Sequence, residues 1–188
     1  MNRREFLKLG LMLAIGGLPM PANAEKFSSQ IIDFHAHAIL PAYVDALKIL
    51  KIDAAAEEGF PLPKWSVEEH LQFMDKAGID FTILSMATPH ISDKIFTRAI
   101  NEEFAELCRR FPKKFGFVAT LPLPKVEASI EEFFYATEKL GALGVKVASN
   151  SDGVYLGDEQ LDPIFAALNE KNSLGTVGKL KVNNGSSK

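Results

Sequence analysis

The sequence predicts an α/β fold of about four βα units, half the number found in a closed (β/α)8 barrel. Three observations support this prediction. Short apolar runs alternate with longer stretches of helical period through most of the chain. The 188 residues are 47% hydrophobic and 24% charged, which is typical of a globular protein with a buried core. Two histidines close the first apolar run, where a parallel strand of such a fold would end.

Residues 1–24 have the three-part layout of an export signal. A basic start with Arg3 and Arg4 precedes an apolar run over residues 9–19, and small residues end the segment at Ala24. The run is shorter than the roughly 20 residues of a membrane-spanning helix. The paired arginines resemble a twin-arginine signal, with an ordinary secretory signal or an uncleaved anchor as the alternative. We therefore expect export by the twin-arginine machinery, cleavage near Ala24 and a periplasmic location.

The apolar runs that follow predict four parallel strands separated by helices. The predicted strands cover residues 30–35, 81–86, 115–120 and 144–148. The predicted helices cover residues 43–50, 66–77, 92–111, 126–140 and 158–171. Ser66 with Glu69 three residues later, and Gly78 at the other end, predict the bounds of the second helix. An open four-stranded sheet is the structural alternative, but both of its edges would need to be covered.

The periodic pattern changes after Asn172. Residues 173–178 read SLGTVG and precede a tail rich in Lys, Asn, Gly and Ser. Neither stretch is typical of a buried strand or a helix. We therefore divide the chain into a signal over residues 1–24, a partial barrel domain over residues 25–172 and a polar tail over residues 173–188. This division predicts a truncated domain, and a product that does not fold stably is one alternative.

The composition excludes two classes of site. The formal net charge is -3, whereas a nucleic-acid-binding domain is usually basic, so we expect no nucleic-acid partner. Cys108 is the only cysteine, which excludes an intramolecular disulfide and a cysteine-rich zinc site. Its helical setting predicts a packed thiol. His70 lies off the apolar stripe of its helix, so we expect it at the surface.

The stretch over residues 31–37 is the strongest candidate for metal chemistry. Because side chains alternate across a strand, Asp33, His35 and His37 are expected on one face. Two imidazoles at the carboxyl end of a barrel strand suit one divalent metal ion, and Asp33 would add a ligand or orient a histidine. Two ordinary histidines, bonded to backbone or water, are the alternative. Lys146 on the fourth strand is expected to lie outside this site.

Four further residues are candidates for substrate contact. His90 follows the second strand, and Ser149 and Asn150 follow the fourth, so all three belong to the end of the sheet where barrel substrates bind. Trp65 lies near a helix start and would line the mouth of the pocket. For Trp65 the alternative is ordinary packing, and for His90 it is exposure on a loop.

Six segments in order resemble the amidohydrolase-related family of metal-dependent enzymes, in particular the branch of aminocarboxymuconate semialdehyde decarboxylase. They are DFHAH at 33–37, WSVEEHL at 65–71, MDKAGID at 74–80, LPLP at 121–124, GVKVASN at 144–150 and GVYLGD at 153–158. The likeness spans about residues 31–172. The resemblance implies the TIM-barrel (β/α)8 fold, of which this region is the N-terminal half.

The same resemblance implies a metal site and a reaction class. His35 and His37 would hold a divalent metal, usually zinc, while the family's other metal ligands and catalytic residues have no counterpart in this chain. The implied enzyme is a metal-dependent decarboxylase (carboxy-lyase) or hydrolase with a small-molecule carboxylate substrate. Whether this chain is active alone stays open. The alternative is a non-catalytic periplasmic module that binds metal or pairs its exposed sheet edges, for instance as a homodimer.

Overall fold

The computed structural model describes residues 30–171 and 173–178. The predicted signal at residues 1–24 and the tail from residue 179 onward lie outside the described residues. Within them, no helix is long and apolar enough to cross a membrane.

Helices and strands alternate along the described chain. The strands are β1 (Ile32–Ala38), β2 (Phe81–Met86), β3 (Phe115–Phe117), β4 (Ala119–Thr120), β5 (Gly144–Ala148), β6 (Asn150–Ser151), β7 (Val154–Tyr155) and β8 (Leu174–Gly178). The helices are α1 (Pro41–Leu50), α2 (Ala54–Glu58), α3 (Val67–Ala77), α4 (Lys94–Arg110), α5 (Val126–Glu138) and α6 (Asp162–Glu170). A short 3₁₀ turn, Glu159–Leu161, leads into α6.

The main strands are parallel and follow chain order. One group is β1-β2-β3 and the other is β4-β5-β8. Val118 alone separates β3 from β4, and its backbone N–H donates to the Leu84 carbonyl at 3.0 Å, so the chain stays in one layer there. Helices connect successive parallel strands, as a βα series requires. The predicted α/β fold, a partial (β/α) barrel, is confirmed.

The bounds of α3 follow from the capping residues expected in the sequence. The Ser66 hydroxyl accepts a hydrogen bond from the Glu69 backbone N–H at 3.2 Å. Gly78 ends the helix with φ 70°, a left-handed conformation that glycine adopts without strain. Val67 and Met74 are the buried residues of this helix. Local sequence signals therefore determine both ends of α3.

The core lies between the sheet and the helices. Phe104 of α4 stacks on Phe117 of β3, with ring centroids 5.8 Å apart. Cys108, also on α4, is partly buried against this core. Burial raises the pKa of the Cys108 thiol to about 12, which suits the packed thiol expected from the sequence. The largest fully buried side chains include Tyr43, Phe104, Phe117, Phe133, Met74, Leu84, Ile91 and Ile100.

The expectation that no strand follows Asn172 is wrong. Strand β8 pairs in parallel with the whole of β5, from Gly144 opposite Leu174 to Ala148 opposite Gly178. Glycines lower strand propensity, but the backbone hydrogen bonds of a parallel pair do not require particular side chains. The described part of the chain thus holds four βα units and a fifth parallel strand. In it, β1 pairs only with β2, and β8 only with β5.

Candidate functional site

His35 and His37 lie on the same side of β1, near its carboxyl end. Their ring centroids are 5.2 Å apart, with the rings close to perpendicular at 74°. Both rings line a small cavity of about 190 Å³, which they share with Ser85 and Lys146 among others. The structure therefore brings the two predicted metal ligands together at the end of the sheet expected for a barrel active site.

Ser85 of β2 fixes the orientation of one of these rings. It lies opposite His37 in the register of the two strands, and its hydroxyl oxygen is 2.9 Å from His37 Nδ1. The same hydroxyl donates its proton to the Ala36 carbonyl at 3.2 Å. Because that proton is already committed, His37 donates from Nδ1 and keeps the lone pair on Nε2. This is the arrangement by which metal-binding histidines are usually held.

The structure separates Asp33 from the two histidines. Asp33 pairs with Thr82 and His37 with Ser85, and the register shifts between Asp33 and Ala36. Since Thr82 and Ser85 face opposite sides of β2, Asp33 and His37 face opposite sides of the sheet. The Asp33 carboxylate accepts the His35 backbone N–H at 3.0 Å. The expected common face is therefore wrong for Asp33, because the irregularity interrupts the alternation.

Two histidines are the ligands that the described residues provide. Among residues 30–171 and 173–178, no group of three or more His, Cys, Asp or Glu side chains is placed to hold a metal ion. A catalytic zinc usually has three protein ligands. The histidine pair therefore fits a divalent metal in chemistry, but it is an incomplete ligand set.

Lys146 places a positive charge beside the pair. Its ammonium donates to the Met86 carbonyl at 2.7 Å, and the side chain lines the same cavity as His35 and His37. Partial burial, with the nearby Lys146 and His35, lowers the pKa of His37 to about 4. His37 is therefore neutral at pH 7, as a metal ligand must be. The sequence interpretation left Lys146 out of the metal ligands, and the structure places its side chain on the lining of this cavity.

His90 borders a second and larger cavity of about 540 Å³, to which Asn150 also belongs. The His90 ring is largely buried, and desolvation by this burial lowers its pKa to about 4. The alternative of an exposed loop histidine is therefore wrong. The Asn150 side-chain oxygen accepts the Gly153 backbone N–H at 3.2 Å and thereby holds the turn between β6 and β7.

The other two substrate candidates have different surroundings. Trp65 packs against the core, and its indole N–H donates to His70 Nδ1 at 3.2 Å. The His70 ring lies edge-on to Phe115 at 5.3 Å and is partly buried, so its expected place at the surface is wrong. The Ser149 carbonyl accepts the Leu156 N–H at 3.3 Å. Trp65 thus belongs to a packed cluster beside α3 and is not among the residues that line either cavity.

Sequence reasoning missed Ser85 and Ser151. Ser85 had a usable signal, because the carboxyl ends of adjacent parallel strands lie side by side and place it next to His37. Ser151 had none, because its burial depends on the packing of the β6–β7 hairpin. Its hydroxyl is buried with no hydrogen-bond partner among residues 30–171 and 173–178.

Comparisons with known proteins agree on one protein family. Residues 32–173 match the protein family described as Amidohydrolase. Decarboxylase yanB of Aspergillus niger is 35% identical over 155 residues, which are 76% of this chain and 41% of that protein. Decarboxylase macB of Penicillium terrestre is 32% identical over 155 residues, which are 76% of this chain and 45% of that protein. The 2-amino-3-carboxymuconate-6-semialdehyde decarboxylase of Dictyostelium discoideum is 28% identical over 109 residues, 54% of this chain and 30% of that protein.

Solved structures agree on the fold. A crystal structure named amidohydrolase II superposes with a TM-score of 0.71 and 31% identity, covering 79% of this chain and 50% of that one. The 5-carboxyvanillate decarboxylase of Novosphingobium aromaticivorans, solved with bound manganese, superposes with a TM-score of 0.67 and 23% identity, covering 78% and 49%. The match thus covers 30–45% of the length of the sequence relatives and about half of the solved structures.

Proposed function

Because this chain belongs to the amidohydrolase family, we propose that it carries the first metal-ligand pair of a metal-dependent decarboxylase (carboxy-lyase) for a small organic carboxylate. A hydrolase would use the same pair to activate water, and the sequence alone leaves the two reactions open. The matched relatives yanB and macB are both named decarboxylases, which favours decarboxylation. The chain spans 41% and 45% of those relatives, so the activity of a whole enzyme is part of the proposal.

One observation carries this proposal. His35 and His37 face a common cavity with ring centroids 5.2 Å apart, and Ser85 directs the Nε2 lone pair of His37 away from its own hydroxyl. Lys146 lines the same cavity. A carboxylate substrate that enters there would meet this positive charge beside the metal ligands.

A divalent metal bound to the pair would polarise a substrate carboxylate or carbonyl oxygen. Neutral imidazole suits both zinc and manganese. We propose zinc, with manganese as the alternative because a related decarboxylase was solved with it. Two protein ligands bind more weakly than three, so we expect this chain alone to exchange its metal readily.

The metal proposal is tested by equilibrium dialysis of the protein against zinc or manganese, which measures bound metal per chain while free ion is present. Wild-type protein should bind metal, and the double variant His35→Ala/His37→Ala should not. His70→Ala is the matched control, because it removes a histidine that lies away from the cavity and should leave the metal content unchanged. Equal metal in the wild type and the double variant would overturn the proposal.

Release of CO2 from aromatic and aliphatic carboxylates separates an enzyme from a binding module. Release that depends on both His35 and His37 would support the decarboxylase. Retained metal without release from any tested carboxylate would favour the alternative, a non-catalytic metal-binding or interaction module.

A specific observation favours self-association in that alternative. Strand β1 pairs on one side only within the described residues. Ile32 and Phe34 on this strand are 53% and 45% accessible, and Ile31 just before it is 52% accessible. We propose that two copies pair through such sheet edges. Light scattering after size exclusion should give twice the monomer mass, and Phe34→Lys should restore the monomer. A wild-type monomer at high concentration would contradict pairing.

We also propose that the protein is exported to the periplasm by the twin-arginine machinery. The support is the basic and apolar pattern of residues 1–24, which lie outside the described residues. Cell fractionation should place the wild type in the periplasm and an Arg3→Lys/Arg4→Lys variant in the cytoplasm. Export of that variant at the wild-type level would point instead to an ordinary secretory signal.

A further inference from the structure

A third and much smaller cavity is lined by residues of both cavities described above. It shares His90 with the cavity of about 540 Å³ and Lys146 with the cavity of the histidine pair. Its own volume is about 10 Å³, which is about the space that a single water molecule needs in a protein interior. One small molecule in this cavity can therefore contact both His90 and Lys146.

His90 provides a hydrogen-bond acceptor to this region. One ring nitrogen bonds to the Leu123 backbone, and Nε2 is buried without a partner among residues 30–171 and 173–178. The Leu123 N–H is already donated to the Leu121 carbonyl at 2.8 Å, so the Leu123 carbonyl accepts from His90. The ring proton therefore lies on Nδ1, and Nε2 carries a lone pair. Burial lowers the pKa of His90 to about 4, which keeps the ring neutral at pH 7.

Lys146 provides hydrogen-bond donors to the same region. Its ammonium carries three N–H groups, one of which donates to the Met86 carbonyl at 2.7 Å. Met86 also lines the small cavity. After burial, the charge of Lys146 contributes to the lowered pKa of both His37 and His90. The ammonium therefore lies close to both rings, one in each of the larger cavities.

These groups favour a neutral occupant of the small cavity. A bound anion would face the lone pair of His90 Nε2, and a bound metal ion would face the positive charge of Lys146, so both are unfavourable. A water molecule can accept from the ammonium and donate to the imidazole. Hydrogen bonds through such a water are nearly as favourable as direct ones.

We propose that one buried water accepts a hydrogen bond from Lys146 Nζ and donates one to His90 Nε2, and that His90 is thereby a positioning residue for the ammonium. Together with the Met86 carbonyl, this bridge holds Lys146 beside His35 and His37, where the ammonium binds a carboxylate group. The inference rests on the proposed function only for the use of that carboxylate. The bridge itself is a property of the protein without metal and can be measured there.

The bridge is tested by ¹⁵N spectra of the histidine rings in the full chain, stripped of metal, at pH 7. A ring proton of His90 should show magnetisation transfer from a long-lived water, and Lys146→Met should shift the Nε2 resonance of His90 downfield as the bridge is lost. Lys125→Met is the matched control, because Lys125 lines a cavity with His90 but does not line the small one. It should leave the resonance in place. Absence of the water contact, or equal shifts in the two lysine variants, would overturn the bridge.

The positioning role is tested by titrating the same metal-free protein with acetate and following the ring resonances of His37. His90→Phe should weaken acetate binding by about fivefold, the effect of one lost hydrogen bond. His90→Gln should restore the affinity, because its amide oxygen can accept from the water. Circular dichroism checks that each variant is folded, and His90→Leu replaces His90→Phe if the latter unfolds. Wild-type affinity in the folded apolar variant, or an equal loss in His90→Gln, would contradict the role of His90.

Failure of this inference is distinguishable from failure of the proposed function. Equilibrium dialysis should show wild-type metal binding in His90→Phe, because His35 and His37 remain. Loss of the His90 and Lys146 effects in a protein that binds metal would refute the bridge alone. Intact effects in a protein that binds no metal would refute the metal site alone.

Discussion

Two polar regions of this molecule differ in how their hydrogen bonds are completed. Between α4 and α5, the fully buried Glu132 accepts from Arg98 Nε at 2.6 Å and from the Asn101 side chain at 2.8 Å. Asn101 also exchanges two hydrogen bonds with the Thr120 backbone, each of 2.9 Å. At the carboxyl ends of the strands, by contrast, His90 and Ser151 have buried polar atoms without partners in the described part of the chain.

The difference separates a structural role from a binding role. The network around Glu132 is satisfied within the protein, so its polar groups hold α4, α5 and β4 together. An unpartnered buried group is unfavourable in isolation, and it persists in proteins mainly where a ligand or water completes it. Ser129 on α5 also has a buried hydroxyl without a partner among the described residues, but only His90 and Ser151 of these three line the 540 Å³ cavity. The carboxyl-end groups are therefore expected to act in binding, and the Glu132 network in stability.

The largest expected effect is a loss of stability when the network around Glu132 is broken. Arg98→Met should cost about 3 kcal/mol of unfolding free energy, because it leaves a buried carboxylate with only Asn101 as its side-chain partner. Lys94→Met is the matched control, since it removes the exposed pair of Lys94 with Glu131 and should cost less than about 1 kcal/mol. Denaturant unfolding measures both variants. Equal costs would contradict a structural role for the network.

The next effect is a loss of metal affinity at the carboxyl ends of the strands. Ser85→Ala should weaken metal affinity by about 10- to 100-fold, because His37 loses the group that fixes its ring. Ser129→Ala is the control, since it removes a buried, unpartnered hydroxyl from α5. Competition with a chelating dye gives the affinities. An unchanged affinity in Ser85→Ala would show that the ring is oriented without the hydroxyl.

The third effect is a pH dependence of the unfolding free energy, which arises from His90 at the carboxyl ends of the strands. The pKa of His90 is about 4 in the folded protein and about 6.5 in an unfolded chain. The unfolded state therefore binds more protons between these values, and the stability contribution is complete above pH 6.5 and decreases as the pH falls toward 4. Unfolding free energies from pH 7 to 4 should show a shallower decrease in His90→Phe than in the wild type. Parallel profiles would mean that His90 is not shielded from water.

The smallest expected effect lies in the cluster beside α3. Trp65→Phe removes the indole hydrogen bond to His70 Nδ1 and should cost about 1 kcal/mol of unfolding free energy. Metal content should not change, because Trp65 lines neither cavity. Altered binding in this variant would show that the cluster and the carboxyl-end region are coupled.

The sequence predictions are accurate where the signal lies within a few neighbouring residues. The predicted bounds of β2 and β5 agree with the structure, because each is a continuous apolar run buried by its neighbours. The first helix begins at Pro41, two residues earlier than predicted, since proline is favoured in the first turn. The short helix α2 was missed, although Asp53 caps its start with bonds to the Ala55 and Ala56 backbone N–H groups.

The part of the candidate site that depends on neighbouring residues of one strand could be predicted. His35 and His37 could be paired from their spacing on one strand, and the structure places both at one cavity. The face of Asp33 could not be predicted, because a register shift against β2 reverses it. The burial of His90 depends on its contact with Leu123 and on the hairpin after β5, which lie far from it in the chain.

By itself, the sequence determined the order of strands and helices, the caps of α3 and the histidine pair at the end of β1. Periodicity and capping act within a few residues and can be seen in the chain itself. Only the tertiary structure decided that Ser85 orients His37 from 48 residues away. It also decided that residues 174–178 pair with β5 and that His90 and Ser151 line one cavity. These outcomes depend on packing between distant segments, which local patterns do not encode.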